Sequence, residues 1–179
     1  MSTAQPPTSS SICGFSDGCR LAAFPPRFDL VPRGDGAYVG ALMQEFHDLL
    51  RATSRTFAVG IDSLPSPLRE GVTLAYLVLR VSDYFEDSPT LSANRKRDAL
   101  EAWAQLIEAP HGPVHADQLA VLREAVSDED EGLPDRLAAL KADEILQGLS
   151  RLPPQFLAPT REHTAATTRG MARWTLRGA

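Results

Sequence analysis

Residues 65–87 read PSPLREGVTLAYLVLRVSDYFED, and this stretch decides the fold. Ser66 is a typical capping residue, and Pro67 suits the first helical position because proline has no N–H to lose there. From Leu68 to Asp87 the chain contains no proline and one glycine, Gly71, so little interrupts a helix. The sequence therefore predicts one long central helix.

The central helix gathers its polar side chains on one face. At 100° per residue they fall within a stripe of roughly 80°. The members of this polar stripe are Thr73, Tyr76, Arg80, Asp83 and Asp87. Apolar residues occupy most of the remaining circumference, and a helix that is apolar nearly all round is usually buried. We therefore expect the stripe to line an internal cavity.

Two acids in this stripe indicate a metal site. Asp83 and Asp87 are four residues apart, which places their Cβ atoms about 5–6 Å from each other. Carboxylates this close in a water-poor wall repel each other, and a divalent cation such as Mg²⁺, which prefers carboxylate and phosphate oxygens, removes the repulsion. Arg80 adds a positive charge suited to a phosphate oxygen, and Tyr76 supplies a ring and a hydroxyl. The pattern indicates a Mg²⁺–diphosphate site at one end of an apolar pocket.

A simpler interpretation fits the same spacing. A long amphipathic helix with ordinary charges on its exposed face also shows two acids four residues apart, and the pattern alone does not separate the two. Arg55, further upstream, would by default be a solvated surface arginine. The residues by themselves leave both alternatives open.

Two motifs in register resemble the squalene/phytoene synthase family, the head-to-head prenyl synthases. The segment LREGVTLAYLVLRVSDYFED resembles the first aspartate-rich helix of that family. Ser54-Arg55-Thr56-Phe57 resembles its S-R-S/T-F motif at the expected distance upstream. Weaker similarity extends from about Tyr38 to about Trp174 and includes the segment Arg169-Gly170-Met171-Ala172.

The resemblance implies a diphosphate site and a metal site. In the family, the serine and arginine of the first motif contact a substrate diphosphate, which assigns this role to Ser54 and Arg55, with Arg80 as a further diphosphate ligand. Asp83 and Asp87 correspond to the residues that hold Mg²⁺.

The resemblance also implies catalytic and wall residues. Tyr76 and Arg80 are the expected catalytic side chains, and Phe57 and Met171 are expected to form the pocket wall. Core packing is an equally good explanation for Met171, because methionine fills irregular apolar gaps. Phe57 fits either the core or the wall.

The implied reaction is a Mg²⁺-dependent head-to-head condensation of two farnesyl-type diphosphates in isoprenoid biosynthesis. An apolar pocket would keep water away from the allylic cation that forms when diphosphate leaves. The wording LVLRVSDYFED favours the squalene-type branch, in which NADPH reduces the intermediate. The expected substrate partner is thus a prenyl diphosphate.

The whole chain is predicted to be all-α, an antiparallel bundle of the isoprenoid synthase type. Sustained period-two runs are missing, and the connections are short. Residues 1–34, rich in Ser, Pro and Gly, are predicted to be a disordered or loosely packed lead-in, and residues 35–179 a partial helical domain. Ser92 should cap a helix after the central one. Pro134 should open another, whose inward-facing residues are Leu137, Leu140, Ile145, Leu146 and Leu149.

Composition excludes some functions. The chain has 179 residues and a formal net charge of -5, and without a basic patch it does not resemble a nucleic-acid binder. Its most apolar run is shorter than the roughly 20 residues that a membrane span needs, and the start lacks a targeting pattern, so a cytoplasmic location is expected. An apolar substrate is compatible with a peripheral contact at a membrane surface.

The acidic run Asp128-Glu129-Asp130-Glu131 is predicted to be a solvated loop.

The chain ends before a second aspartate-rich motif, which family members carry on later helices. We therefore expect a bundle truncated before its C-terminal helices and about half of an active site. The alternative is a non-catalytic helical remnant or paralogue. Such a protein would act by association through apolar faces that the missing helices leave uncovered.

Overall fold

A computed structural model describes residues 36–109 and 115–176, which form eight α-helices and no β-strand. The helices are α1 Gly36–Thr53, α2 Arg55–Asp62, α3 Leu68–Asp87, α4 Ala93–Glu108, α5 His115–Ala125, α6 Arg136–Leu140, α7 Ala142–Ser150 and α8 Pro154–Trp174. The predicted all-α class is confirmed. The predicted lead-in at residues 1–34 lies outside the described residues.

Helix α3 is the centre of the fold, because it contacts α1, α2, α4, α6, α7 and α8. Its large apolar side chains are fully buried, as the periodicity predicts: Leu74, Leu77, Val78, Val81 and Phe85. Each such side chain stabilises the fold by about 1.5–3 kcal/mol when it leaves water. Packing of this face, more than helix propensity, therefore holds the helix in place.

The start of α3 corrects one prediction. Ser66 does not cap the helix; the residue before the first helical position is Pro67, which makes no side-chain capping bond. The backbone N–H groups of Arg69 and Gly71 donate instead to the carbonyls of Pro65 (3.1 Å) and Pro67 (3.2 Å). Backbone bonds to the preceding turn thus take the place of the serine hydroxyl.

Helices α3 and α4 form an antiparallel pair, whereas α3 and α8 run in the same direction. Ser92 caps α4 as predicted, accepting a hydrogen bond from the N–H of Arg95. The indole N–H of the buried Trp103 donates to the carbonyl of Val78 at 3.1 Å. A longer connection, through α5 to α7, separates α3 from α8 and permits the parallel arrangement.

Two contacts define the direction of α8. Phe156 near its start lies against Gly71 near the start of α3, and the Thr168 hydroxyl lies 2.7 Å from that of Ser82 near the other end. A Cβ atom added at Gly71 would lie 3.5 Å from the Phe156 ring, an ordinary contact distance, so this approach of the two helices does not require glycine.

The segment after Pro134 is not one helix with an apolar inner face. Lys141 separates α6 from α7, and its N–H bonds to the carbonyl of Ala138 in a tight turn. This break places Ala138 and Ala139 in the core and leaves Leu137 and Leu140 50% and 55% exposed. The prediction that Leu137 and Leu140 face inward is therefore wrong. The same prediction is confirmed for Ile145, Leu146 and Leu149 of α7, which are buried.

The acidic run departs from its prediction at one residue. Asp128, Glu129 and Glu131 are exposed as expected. Asp130 is buried, and its Oδ2 accepts hydrogen bonds from the hydroxyls of Tyr84 (2.9 Å), Ser88 (2.8 Å) and Thr90 (3.1 Å). A solvated loop was expected because consecutive acids show no periodicity. The three hydroxyls stabilise this carboxylate in the interior and tie the end of α3 to the turn that precedes α6.

Among the described residues, no helix combines the length and the hydropathy that crossing a bilayer requires.

Gly148 of α7 lies where α1, α3 and α7 meet. A Cβ atom at this position would come within 2.5 Å of the ring of Phe46 and 3.1 Å of Leu74. We predict that Gly148→Ala lowers the free energy of unfolding by about 1–3 kcal/mol through overpacking. Urea denaturation measures this value.

Gly60 of α2 provides the matched control, because a Cβ atom there would meet no other atom within 4 Å. Gly60→Ala should leave stability unchanged or raise it by up to about 1 kcal/mol, since alanine favours helix. Equal effects of the two substitutions would contradict the close packing at Gly148.

Candidate diphosphate and metal site

Arg80 of α3 is fixed between two carboxylates. Its Nη1 donates to Oδ2 of Asp83 at 2.8 Å, and its Nε donates to Oδ1 of Asp135 at 2.6 Å. Its Nη2 donates to Oδ2 of Asp135, so the second carboxylate is bound through both oxygens. All three side chains are partly buried. This two-point contact fixes the plane of the guanidinium.

Asp135 is a site residue that the sequence analysis missed. It lies in the turn before α6, 55 residues from Arg80, and such a contact leaves no local periodicity. Its position just before a helix is typical of a capping aspartate, yet its side chain makes no capping bond. That unused capping role is visible only in the structure.

Aromatic rings extend the site from Arg80 towards α2. The ring of Tyr76 lies 5.2 Å from that of Phe57, and the guanidinium carbon of Arg80 lies 5.9 Å from the Tyr76 ring centre. Phe57 is 61% exposed, so core packing does not explain it. The ring pair physically joins the two sequence motifs.

The first motif forms the start of α2, a helix absent from the sequence prediction. The Ser54 hydroxyl accepts the N–H of Phe57 at 3.5 Å and so acts as the helix cap. Arg55 follows at the first helical position, is exposed, and has no ion pair with any residue in the described ranges. Its guanidinium thus remains available to an anion.

The polar stripe runs from the core to the surface. Thr73 is fully buried and Asp87 is exposed. In the middle of the stripe, Asp135 pairs with Arg80. The cavity that the stripe was expected to line stays a prediction.

A groove of about 330 Å³ lies beside the stripe, between α3 and α8. Its lining is almost entirely apolar, and none of Arg80, Asp83 and Asp87 contributes to it. Its lining residues are Ala75, Leu79, Pro159, Thr160, His163, Thr164 and Thr167. Leu79 precedes Arg80 on α3 and points about 100° away from it, so the groove lies next to the stripe without opening on the guanidinium.

The carboxylates of the site influence one another. Burial raises the pKa of Asp83; Arg80 opposes this shift, but the negative charges of Asp135 and Asp87 support it. Burial likewise raises the pKa of Asp135 despite its bonds to Arg80. The pKa of Glu86 is raised by burial and by the neighbouring acids Asp87 and Asp83. Negative charge is thus in excess over positive charge at this end of α3.

The donor set fits Mg²⁺. Within the described ranges the hydrogen bonds to Asp83 use its Oδ2, and none reaches Asp87, which leaves hard oxygen donors free on both residues. A cation there would offset both the burial and the neighbouring negative charges that raise the pKa of Asp83. No group of three or more His, Cys, Asp or Glu in the described part of the chain is arranged to hold a metal. Two carboxylates suit Mg²⁺, which commonly takes its other ligands from water and substrate phosphates.

Met171 lies on α8, away from these contacts. It is partly buried and packs against the hydrophobic core, as the core-packing alternative proposes. The structure does not bring it into contact with Arg80 or the carboxylates. Its role in a pocket wall stays a prediction.

The squalene/phytoene synthase family model matches residues 50–173 of the chain. The chain belongs to the squalene/phytoene synthase family. The matched range contains both motifs, the ring pair and Asp135, so the site lies within the family region of the chain.

The chain is also similar to individual squalene synthases. That of Schizosaccharomyces pombe is 40% identical over 80 residues, covering 45% of this chain and 17% of the relative. The squalene synthase of Saccharomyces cerevisiae is 29% identical over 129 residues, which cover 72% of this chain and 26% of the relative. The human squalene synthase is 31% identical over 81 residues, which cover 45% of this chain and 19% of the relative. The chain thus spans about a quarter or less of these relatives. No solved structure gives a significant match.

The contact between Phe57 and Tyr76 should be measurable as a coupling energy. We predict that Phe57→Ala and Tyr76→Ala, combined in a double-mutant cycle, show about 0.5–1.5 kcal/mol of coupling in the free energy of unfolding. The control cycle pairs Tyr76→Ala with Val59→Ala, an exposed α2 residue, and should give coupling near zero. Equal coupling in both cycles would contradict a specific ring contact.

Proposed function

We propose that this chain carries the first diphosphate-binding and Mg²⁺-binding face of a squalene/phytoene synthase-like prenyltransferase. The observation that supports the proposal best is Arg80, fixed beside Asp83 in a cluster with excess negative charge, within the range that matches the family. The reaction would be the head-to-head condensation of two farnesyl-type diphosphates in isoprenoid biosynthesis. The names of the relatives favour the squalene-type branch.

Arg80 is suited to a diphosphate because it has hydrogen-bond capacity left. An arginine side chain has five N–H donors. Three of them are engaged by Asp83 and Asp135, which leaves two for phosphate oxygens. Arg55, without an ion-pair partner in the described ranges, would supply a second guanidinium, with Ser54 beside it.

Mg²⁺ bound at this face would act as a Lewis acid that helps the diphosphate group to leave a prenyl substrate. Asp83 and Asp87 would hold the ion. Arg80 would bind the departing phosphate oxygens, and the ring of Tyr76 would keep the guanidinium in place from its other side. NADPH enters the proposal only on the squalene-type branch, where a reduction step needs a hydride.

The groove between α3 and α8 supports an apolar substrate. It lies beside the polar stripe, so a chain attached to a bound diphosphate could extend along its largely apolar surface. We propose that the protein acts in the cytoplasm and takes its prenyl substrate from a membrane surface.

The alternative function, association without catalysis, is favoured by a different observation. Several large apolar side chains are exposed, namely Phe57, Val59, Leu137, Leu140 and Trp174. Exposed apolar surface of this kind often marks an interaction site. Sedimentation of the purified chain distinguishes the two functions, because a stable monomer that binds diphosphate argues against a purely associative role.

The central test is binding of inorganic diphosphate to the full chain. We predict that Mg²⁺ strengthens this binding, and that Asp83→Asn or Arg80→Gln weakens the Mg²⁺-dependent binding at least tenfold, because each removes a charged ligand. Asp98→Asn is the control, since it removes the same charge from an exposed site on α4. Isothermal titration calorimetry measures the affinities.

Absence of Mg²⁺-dependent binding in the wild-type chain would contradict the proposed function. Release of diphosphate from farnesyl diphosphate in the presence of Mg²⁺ would go further and show that the chain starts the reaction alone.

A further inference from the structure

Asp135 neutralises the arginine that is expected to bind diphosphate. Both of its oxygens accept hydrogen bonds from Arg80, and the pair is partly buried. A bidentate pair of this kind cancels most of the positive charge that an approaching anion meets. The arginine keeps free N–H donors but offers little net attraction.

The surroundings of the pair do not restore that attraction. Asp83, Asp87 and Glu86 interact with one another across the same end of α3. The cations to set against them are Lys96, whose Nζ donates to the carbonyl of Glu86 at 2.6 Å, and Arg55 of the first motif on α2. With Arg80 these make three positive charges, against the four carboxylates of Asp83, Glu86, Asp87 and Asp135. The cluster therefore carries more negative than positive charge, and a bare diphosphate would be repelled.

Asp135 is held firmly in this position. The next residue, Arg136, donates from its Nε to the carbonyl of Ser127 at 2.8 Å. The same turn is anchored at Asp130 by three hydroxyl groups. Asp135 thus belongs to a segment whose position is fixed by hydrogen bonds on both sides of it.

We propose that Asp135 is a specificity-determining residue that makes the diphosphate site metal-dependent. By neutralising Arg80 it excludes metal-free diphosphate and admits diphosphate that arrives with a divalent cation, which the surplus of carboxylates attracts. This inference rests on the proposed function of the site. A purely structural role, in which Asp135 only ties α6 to α3, predicts no gain of affinity when the residue is changed.

The test compares the affinity of the full chain for inorganic diphosphate in EDTA and in excess Mg²⁺, by isothermal titration calorimetry. Asp135→Asn should bind metal-free diphosphate about three- to tenfold more tightly than the wild type, because one repelling charge is removed. Its ratio of affinities with and without Mg²⁺ should fall accordingly. A gain of affinity cannot result from misfolding, and Asp135→Ser repeats the test if the asparagine variant is unstable.

Three further variants make the result specific. Asp135→Glu keeps the charge and should keep the metal dependence of the wild type. Asp98→Asn removes the same charge far from Arg80 and should change nothing. In an Arg80→Gln background, Asp135→Asn should give a smaller gain, because the guanidinium that it unmasks is absent.

The inference is overturned if Asp135→Asn binds metal-free diphosphate no more tightly than the wild type, or if Asp98→Asn produces the same gain. It is also overturned if the gain is undiminished without Arg80. When the wild type shows Mg²⁺-dependent binding and Asp135→Asn keeps the same ratio, this inference alone fails. When the wild type binds no diphosphate even with Mg²⁺, the proposed function fails and takes the inference with it.

Discussion

The ion pair between Arg80 and Asp135 is the constraint that ties α6 and the polar site to the central helix α3. Most of α3 is apolar and buried, so a charge on its remaining face must find a partner within reach. Removing one member of a partly buried pair leaves the other charge uncompensated, which is more costly than losing the bond itself. The pair therefore fixes where α6 lies against the central helix, and Asp130 fixes the turn that leads to it.

Structural and chemical roles coincide in the same residues. Ser54 caps α2, and the contact between Phe57 and Tyr76 places that cap beside the polar stripe. The family motif upstream of α3 is thus explained in part by helix geometry. Helix geometry does not explain the arginine of that motif, because Arg55 is exposed and has no ion pair in the described ranges. A diphosphate ligand would explain why an arginine stands there.

Features that depend on local periodicity could be predicted from the sequence. Spacing alone placed Tyr76, Arg80 and Asp83 on one face of α3, and the buried face opposite has the same period. Asp135 and the burial of Asp130 could not be predicted, because long-range contacts between an acid and a distant hydroxyl or guanidinium leave no repeating pattern. The exposure of Leu137 depends on a break at Lys141 that no proline or glycine marks. The expected roles of the site residues came from the resemblance to a family, whereas the contact between Arg80 and Asp135 came only from the structure.

The most direct measurement is a crystal structure of the chain grown with Mn²⁺ and inorganic diphosphate, with the metal located by its anomalous scattering. We expect an anomalous peak bound by Asp83 and Asp87, and diphosphate oxygens within hydrogen-bond distance of Arg80. A metal and diphosphate bound elsewhere on the protein, with these three side chains unchanged, would contradict it.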